Sequence, residues 1–150
     1  MDFAESGLGA TPDEVQSTLR FSEDLLAEFG SDLSREEQAA IDALPSGNAL
    51  LIVKRGPHAG SRFLLDQALT TVGRHPNADI FLDDVTVSRR HAEFIRVGND
   101  FEVHDLASLN GTYYAGARID TAKLEDGEEV QIGKFRLTFY ASRQDIAQGA

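Results

Sequence analysis

Three short segments of this 150-residue chain gather polar side chains that strand packing alone does not require. They are Gly73-Arg74-His75-Pro76, Val87-Ser88-Arg89-Arg90-His91 and Asp105-Leu106-Ala107-Ser108-Leu109-Asn110-Gly111-Thr112. Together they offer guanidinium groups, a hydroxyl and a carboxamide. That set suits a phosphorylated peptide: arginine makes charge-assisted hydrogen bonds to phosphate oxygens, serine adds a donor, and asparagine pairs with a peptide main chain. Ser88, His91 and Asp105 also supply the residue types of a hydrolytic triad, but no Gly-x-Ser-x-Gly elbow accompanies them. His58, His75 and His104 lack metal-ligand spacing. Gly56–Gly60 lacks the Gly-Lys-Ser/Thr ending of a nucleotide phosphate loop. The expected activity is binding rather than catalysis, with no metal and no cofactor.

The elements that must position these loops read as strands. Ala49-Leu50-Leu51-Ile52-Val53 is a short apolar run, and Arg62–Leu65, Leu69–Val72 and Ile80–Leu82 follow after turn signals at Gly56-Pro57, Gly60 and Pro76-Asn77. Ala92–Val97 and Phe101–His104 flank Gly98-Asn99-Asp100, a hairpin loop. Gly111–Tyr114, Glu129–Ile132 and Phe135–Tyr140 complete the series. In the last of these, Phe135, Leu137 and Phe139 alternate with Arg136 and Thr138, which predicts one buried and one wet face. Many short strands without intervening helical periodicity predict an all-β sandwich. Loops at one end of a sandwich can converge, and binding residues often sit on them.

Charge divides the chain unevenly. The net charge is −11, yet residues 1–47 carry 11 acidic side chains against two arginines, and residues 48–150 carry 14 against 12 basic ones. The first segment is thus −9 and the rest −2, with the break at the turn-forming Pro45-Ser46-Gly47-Asn48. Low hydrophobicity with high like charge predicts a largely disordered tail. Within it, Ser34 and Glu37 have the spacing of a capping box opening a helix at Arg35–Leu44. Residues 48–141 are expected to form the folded unit, and 142–150 a short C-terminal tail. Such acidity argues against nucleic acid as a partner. The absence of cysteine excludes disulfides and thiolate chemistry. No apolar run approaches the roughly 20 residues of a membrane span, so a cytoplasmic protein is expected.

Gly73-Arg74, Ser88-x-x-His91 and Asn110-Gly111, in this order and spacing, resemble the signature of forkhead-associated (FHA) domains. The resemblance covers about Asn48 to Ala141 and implies an eleven-stranded β-sandwich whose apical loops bind phosphothreonine. Carried over residue by residue, it implies that Arg74 and Ser88 contact the phosphate and that Arg89 assists. Asn110 would hold the peptide main chain with Leu109 beside it, while Gly73, His91 and Gly111 support the loops.

The runs Leu51–Asp66, Asp83–Phe94 and Gln131–Leu137 are further similar to one actinobacterial group, which comprises the glycogen accumulation regulators and the oxoglutarate dehydrogenase inhibitors. That likeness implies an acidic tail phosphorylated on threonine by Ser/Thr protein kinases. Unphosphorylated, the group binds and inhibits the oxoglutarate dehydrogenase complex, and some members act on glutamate dehydrogenase and glutamate synthase. Phosphorylated, the tail folds onto its own domain and blocks these partners. Val15-Gln16-Ser17-Thr18-Leu19-Arg20-Phe21 matches the group's tail motif, with Ser17 where the group often has a first threonine. Thr18 is therefore the expected switch residue and Phe21, three positions on, the specificity position. A monomer is expected. The alternative is a phosphothreonine adaptor that docks kinases or their substrates.

Overall fold

The computed structural model describes residues 33–149. The expectations for the acidic segment before residue 33, Thr18 and Phe21 included, lie outside the described residues. Helix α1 (Arg35–Asp42) opens with the expected box: the Glu37 amide donates to Ser34 Oγ at 3.0 Å, and the Ser34 amide donates to Glu37 Oε1 at 3.1 Å. These reciprocal bonds satisfy two amides that an α-helix start leaves without partners. The helix stops two residues short of Leu44, where the Leu44 amide turns back to the Ile41 carbonyl ahead of Pro45.

Eleven strands follow: β1 (Ala49–Arg55), β2 (Arg62–Leu65), β3 (Leu69–Gly73), β4 (Ile80–Phe81), β5 (Ala92–Val97), β6 (Asp100–Asp105), β7 (Thr112–Tyr114), β8 (Ala117–Ile119), β9 (Thr121–Lys123), β10 (Glu129–Ile132) and β11 (Phe135–Ala141). A short helix α2 (Arg143–Gly149) closes the described chain, in the stretch expected to be a tail. One sheet has the order β2-β1-β11-β10-β7-β8 and the other β4-β3-β5-β6-β9. Two of these strands, β8 and β9, are not among those read from the residues. They are three residues long with mostly exposed side chains, so no apolar alternation marks them. They are defined instead by pairing, Tyr113 opposite Arg118 and Val103 opposite Ala122. The β5–β6 loop is tighter than expected, because Asp100 pairs with Val97 and leaves only Gly98 and Asn99 to turn.

Between the sheets lies one apolar core, with Leu51, Val53, Phe94, Val103, Ile132, Phe135 and Leu137 inside it. Phe101 meets Phe139 edge to face with ring centres 5.9 Å apart. Burying each such side chain contributes about 1.5–3 kcal/mol. The expected wet face of β11 is a different matter. Thr138 and Tyr140 are buried along with Phe135, Leu137 and Phe139, and β1 is likewise buried at Leu50 and Ile52. Both strands are central in their sheet, and Ile41 and Leu44, which precede β1, are buried too. Alternation reports one face reliably only where the other meets water.

Candidate functional site

The three polar segments meet at one end of the sandwich because backbone groups of one bind those of the next. Gly73 ends β3 at a crossing so close that an added Cβ would lie 2.0 Å from the Arg89 carbonyl oxygen. Only glycine permits that approach. It allows the Arg74 amide to reach the Ser88 carbonyl at 3.0 Å, and the His91 amide the Val72 carbonyl at 3.0 Å. Arg74 is thereby set beside Ser88, fourteen positions later, with its side chain exposed.

His91 is fully buried and joins the second segment to the third. Its Nδ1 accepts the Ser88 amide hydrogen at 3.0 Å, so its proton sits on Nε2, which donates to the Gly111 carbonyl at 2.9 Å. Burial pushes the imidazole below its ordinary value, with the Gly111 carbonyl and Asp105 offsetting only part of that effect. A neutral ring is what this double bond pattern needs, since an imidazolium has no acceptor for the Ser88 amide. Both ring nitrogens are committed to backbone atoms, and Ser88 offers His91 its amide rather than its hydroxyl. No nucleophile–base pair exists here.

The third segment is braced from beneath by Asp105. Its carboxylate accepts the Ser108 hydroxyl at 2.5 Å, the Thr112 hydroxyl at 2.7 Å and the Ser108 amide at 3.2 Å. Ser108 Oγ in turn accepts the Gly111 amide at 3.0 Å. Partial burial opposes ionisation of Asp105, but these bonds from Ser108 and Thr112 outweigh it and hold the carboxyl below its ordinary value. The loop so folded needs left-handed backbone at Ala107 (φ 56°) and Gly111 (φ 86°). It presents Leu109, 84% exposed, and Asn110 to the outside.

Two bonds lock the outer surfaces together. The Leu109 amide donates to Ser88 Oγ at 3.0 Å, which leaves the hydroxyl hydrogen free to point outward. Asn110 Nδ2 donates to the Thr86 carbonyl at 3.0 Å, which leaves its Oδ1 with acceptor capacity. Thr86 is itself a junction. Its amide and hydroxyl both bond Asp84 Oδ1, and its Oγ1 accepts the Lys134 amide at 3.0 Å from the β10–β11 turn. The Thr86 hydroxyl and amide bonds hold the Asp84 carboxyl below its ordinary value.

Arg74, Ser88, Arg89, Leu109 and Asn110 thus fall on two bonded loops and the strand end beside them, supported by Gly73, His91 and Gly111. Among the described residues no carboxylate pairs with Arg74 or Arg89. Guanidinium groups, a hydroxyl hydrogen and an amide oxygen that no described carboxylate or donor occupies are groups of the kind that can bond a peptide carrying an oxyanion. Sequence reasoning missed the bracing group Asp105, Ser108 and Thr112 and the junction Thr86. Asp105-x-x-Ser108, an acid three residues before a hydroxyl in a turn region, was a legible local signal for the brace. Thr86 carries none.

This arrangement agrees with what the chain resembles. The family profile described as the FHA domain matches residues 70–133. The glycogen accumulation regulator GarA of Mycolicibacterium smegmatis is 55% identical over 152 residues, covering 97% of this chain and 96% of that protein. The chain belongs to the FHA domain family. An oxoglutarate dehydrogenase inhibitor of Corynebacterium jeikeium is 55% identical over 132 residues, covering 87% of this chain and 92% of the relative. Among solved FHA domains, one studied for phosphothreonine-dependent FHA domain interactions superposes with a TM-score of 0.57 at 28% identity, over 62% of this chain and 95% of that one. The FHA domain is a binding domain, and no helix among the described residues is long and apolar enough to cross a membrane.

Proposed function

We propose that this protein is a phosphothreonine-binding regulator that, while unphosphorylated, binds and inhibits the E1 component of 2-oxoglutarate dehydrogenase. Phosphorylation of Thr18 by a Ser/Thr protein kinase switches it off, because the phosphothreonine then occupies the chain's own apical loops. The observation that carries this reading is similarity over nearly the whole length of relatives named for regulation and for inhibition of that enzyme. The aligned portion of the first relative takes in 97% of this chain, the acidic segment with it.

The physical driver is the charge added at Thr18. A phosphothreonine brings about −1.5 to −2 charges and three acceptor oxygens. Arg74, Arg89 and the Ser88 hydroxyl would each contribute about 1.5–3 kcal/mol through charge-assisted bonds, before ordering costs. Asn110 Oδ1 would accept a peptide amide, Leu109 would pack beside it, and Phe21 would supply the side chain read for specificity. Because ligand and site share one chain, the effective concentration is of millimolar order, so modest intrinsic affinity closes the switch. Glutamate dehydrogenase and glutamate synthase are further targets. The protein works as a cytoplasmic monomer, is itself no enzyme, and has residues 48–141 as its binding unit with the acidic 1–47 as regulatory tail.

The test is phosphorylation of Thr18 in the full chain. It is expected to abolish inhibition of the dehydrogenase and to shift the NMR signals of Arg74, Ser88 and Asn110. Unchanged inhibition with unchanged signals would overturn the switch.

A further inference from the structure

Asn110 is exposed, and a carboxamide carries donor and acceptor on one planar group whose terminal torsion is broad. Left to itself it would offer a peptide either end. The Thr86 carbonyl can only accept, so it takes Nδ2 at 3.0 Å and leaves Oδ1 as the uncommitted end. The orientation of Asn110 is therefore as well fixed as that carbonyl, 24 positions earlier on a different loop. Thr86 is held in turn by its own side chain. The half-buried hydroxyl donates to Asp84 Oδ1 at 2.6 Å and accepts the Lys134 amide at 3.0 Å. It is strung between the loop before β5 and the β10–β11 turn. That turn is fixed independently: Gln131 Nε2 donates to the Gly133 carbonyl at 3.2 Å, and a Cβ on Gly133 would lie 2.5 Å from Thr86 Oγ1.

We infer that Thr86 is a positioning residue for peptide binding: its hydroxyl, tied to Asp84 and to the β10–β11 turn, fixes the carbonyl that orients the Asn110 carboxamide. The inference rests on the role proposed for Asn110, which is to hold the peptide main chain. It brings into the site a turn that lies outside the three polar segments. Thr86 then acts through Asn110 and not through the arginines that meet the phosphate. A hydroxyl that only steadied the loops would weaken every contact of the site alike. The two roles differ in how Thr86 couples to its neighbours, which double-mutant cycles measure.

Calorimetry on the full, unphosphorylated chain tests this, with a synthetic peptide of residues 12–24 phosphorylated at Thr18 as ligand. Thr86→Val keeps the branched shape and removes both hydroxyl bonds, whereas Thr86→Ser keeps the bonds. Thr86→Val is expected to raise the peptide Kd about fivefold or more, and Thr86→Ser to stay within about twofold of the parent. Added to Asn110→Ala, Thr86→Val is expected to cost nothing further; added to Arg89→Ala, it repeats its full factor. In the ligand-free chain, the Nδ2 proton signals of Asn110 are expected to move in Thr86→Val and to return in Thr86→Ser. An unchanged Kd or unmoved signals in Thr86→Val overturn the inference. So does an equal loss with and without Asn110, which is also what a loosened fold would give. Peptide binding that Asn110→Ala does not weaken overturns the role given to Asn110 itself, and the positioning role of Thr86 falls with it.

Discussion

The binding end of this protein has two layers that differ in every physical respect. The inner layer, His91, Asp105, Ser108 and Thr112, is buried or partly buried, and its polar groups bond to other polar groups of the chain. The outer layer, Arg74, Arg89, Leu109 and Asn110, is exposed and keeps bonding capacity in reserve. The inner layer spends its hydrogen bonds on shape, whereas the outer layer makes two locking bonds, from the Leu109 amide and Asn110 Nδ2, and keeps the guanidinium groups and Asn110 Oδ1 for the proposed ligand. Stability and recognition are therefore assigned to different residues a few positions apart, and substitutions should sort accordingly.

The largest effect is expected for His91→Ala. It strands the Ser88 amide and the Gly111 carbonyl and leaves a cavity, at a cost of about 2–5 kcal/mol. Denaturant titration should show that loss, together with failure to bind a phosphothreonine peptide. Gly73→Ala follows, because the new methyl must displace the Arg89 carbonyl; overpacking of this kind costs about 1–3 kcal/mol, visible as a lowered thermal midpoint. If either variant kept full stability and lost only binding, the division into layers would collapse.

Arg74→Ala should behave oppositely. Loss of one charge-assisted contact weakens phosphothreonine-peptide binding by about 1.5–3 kcal/mol, or roughly 10–150-fold by calorimetry. The midpoint should move little, since exposed substitutions usually stay within about 0.5 kcal/mol. The smallest effect is pH dependence of stability. The folded pKa of His91 lies below its ordinary 6.5, so the unfolded chain takes up a proton that the folded one refuses. Stability is complete above 6.5 and falls as the pH drops below it. The depressed Asp105 extends the decline below its ordinary 3.8. Thermal midpoints measured from pH 7 to pH 5 should fall, and a folded His91 variant should lose that slope.

The same division explains what could be read before the fold was known. The outer residues were legible because their chemistry is written in their types: arginine, serine and asparagine in loops between apolar runs need a reason to be there. Long strands were legible from alternation or apolar runs. By contrast, β8 and β9 exist through pairing with β7 and β6, and no three-residue window records that. Thr86 looks like any loop threonine until the β10–β11 turn arrives from 48 residues away to bond it. Burial of Thr138 and Tyr140 on the second face of β11 was hidden for a similar reason: alternation says what one side does, not what the other meets.

β1 begins where β11 ends, Ala49 facing Ala141 across the sheet. Asp145 accepts bonds from Ser46 and Gly47, and the Ser142 hydroxyl bonds the Leu44 carbonyl, so the incoming and outgoing chain are stitched side by side. The opposite ends of the same two strands reach the turn at Gly56 and Lys134, against the binding loops. The domain is plugged into its chain through one end and carries the proposed binding loops at the other. Anything spliced at that junction, whether a fusion partner, a surface linker or a second module, leaves the reading end facing outward, which makes the unit portable between contexts without redesign of its loops.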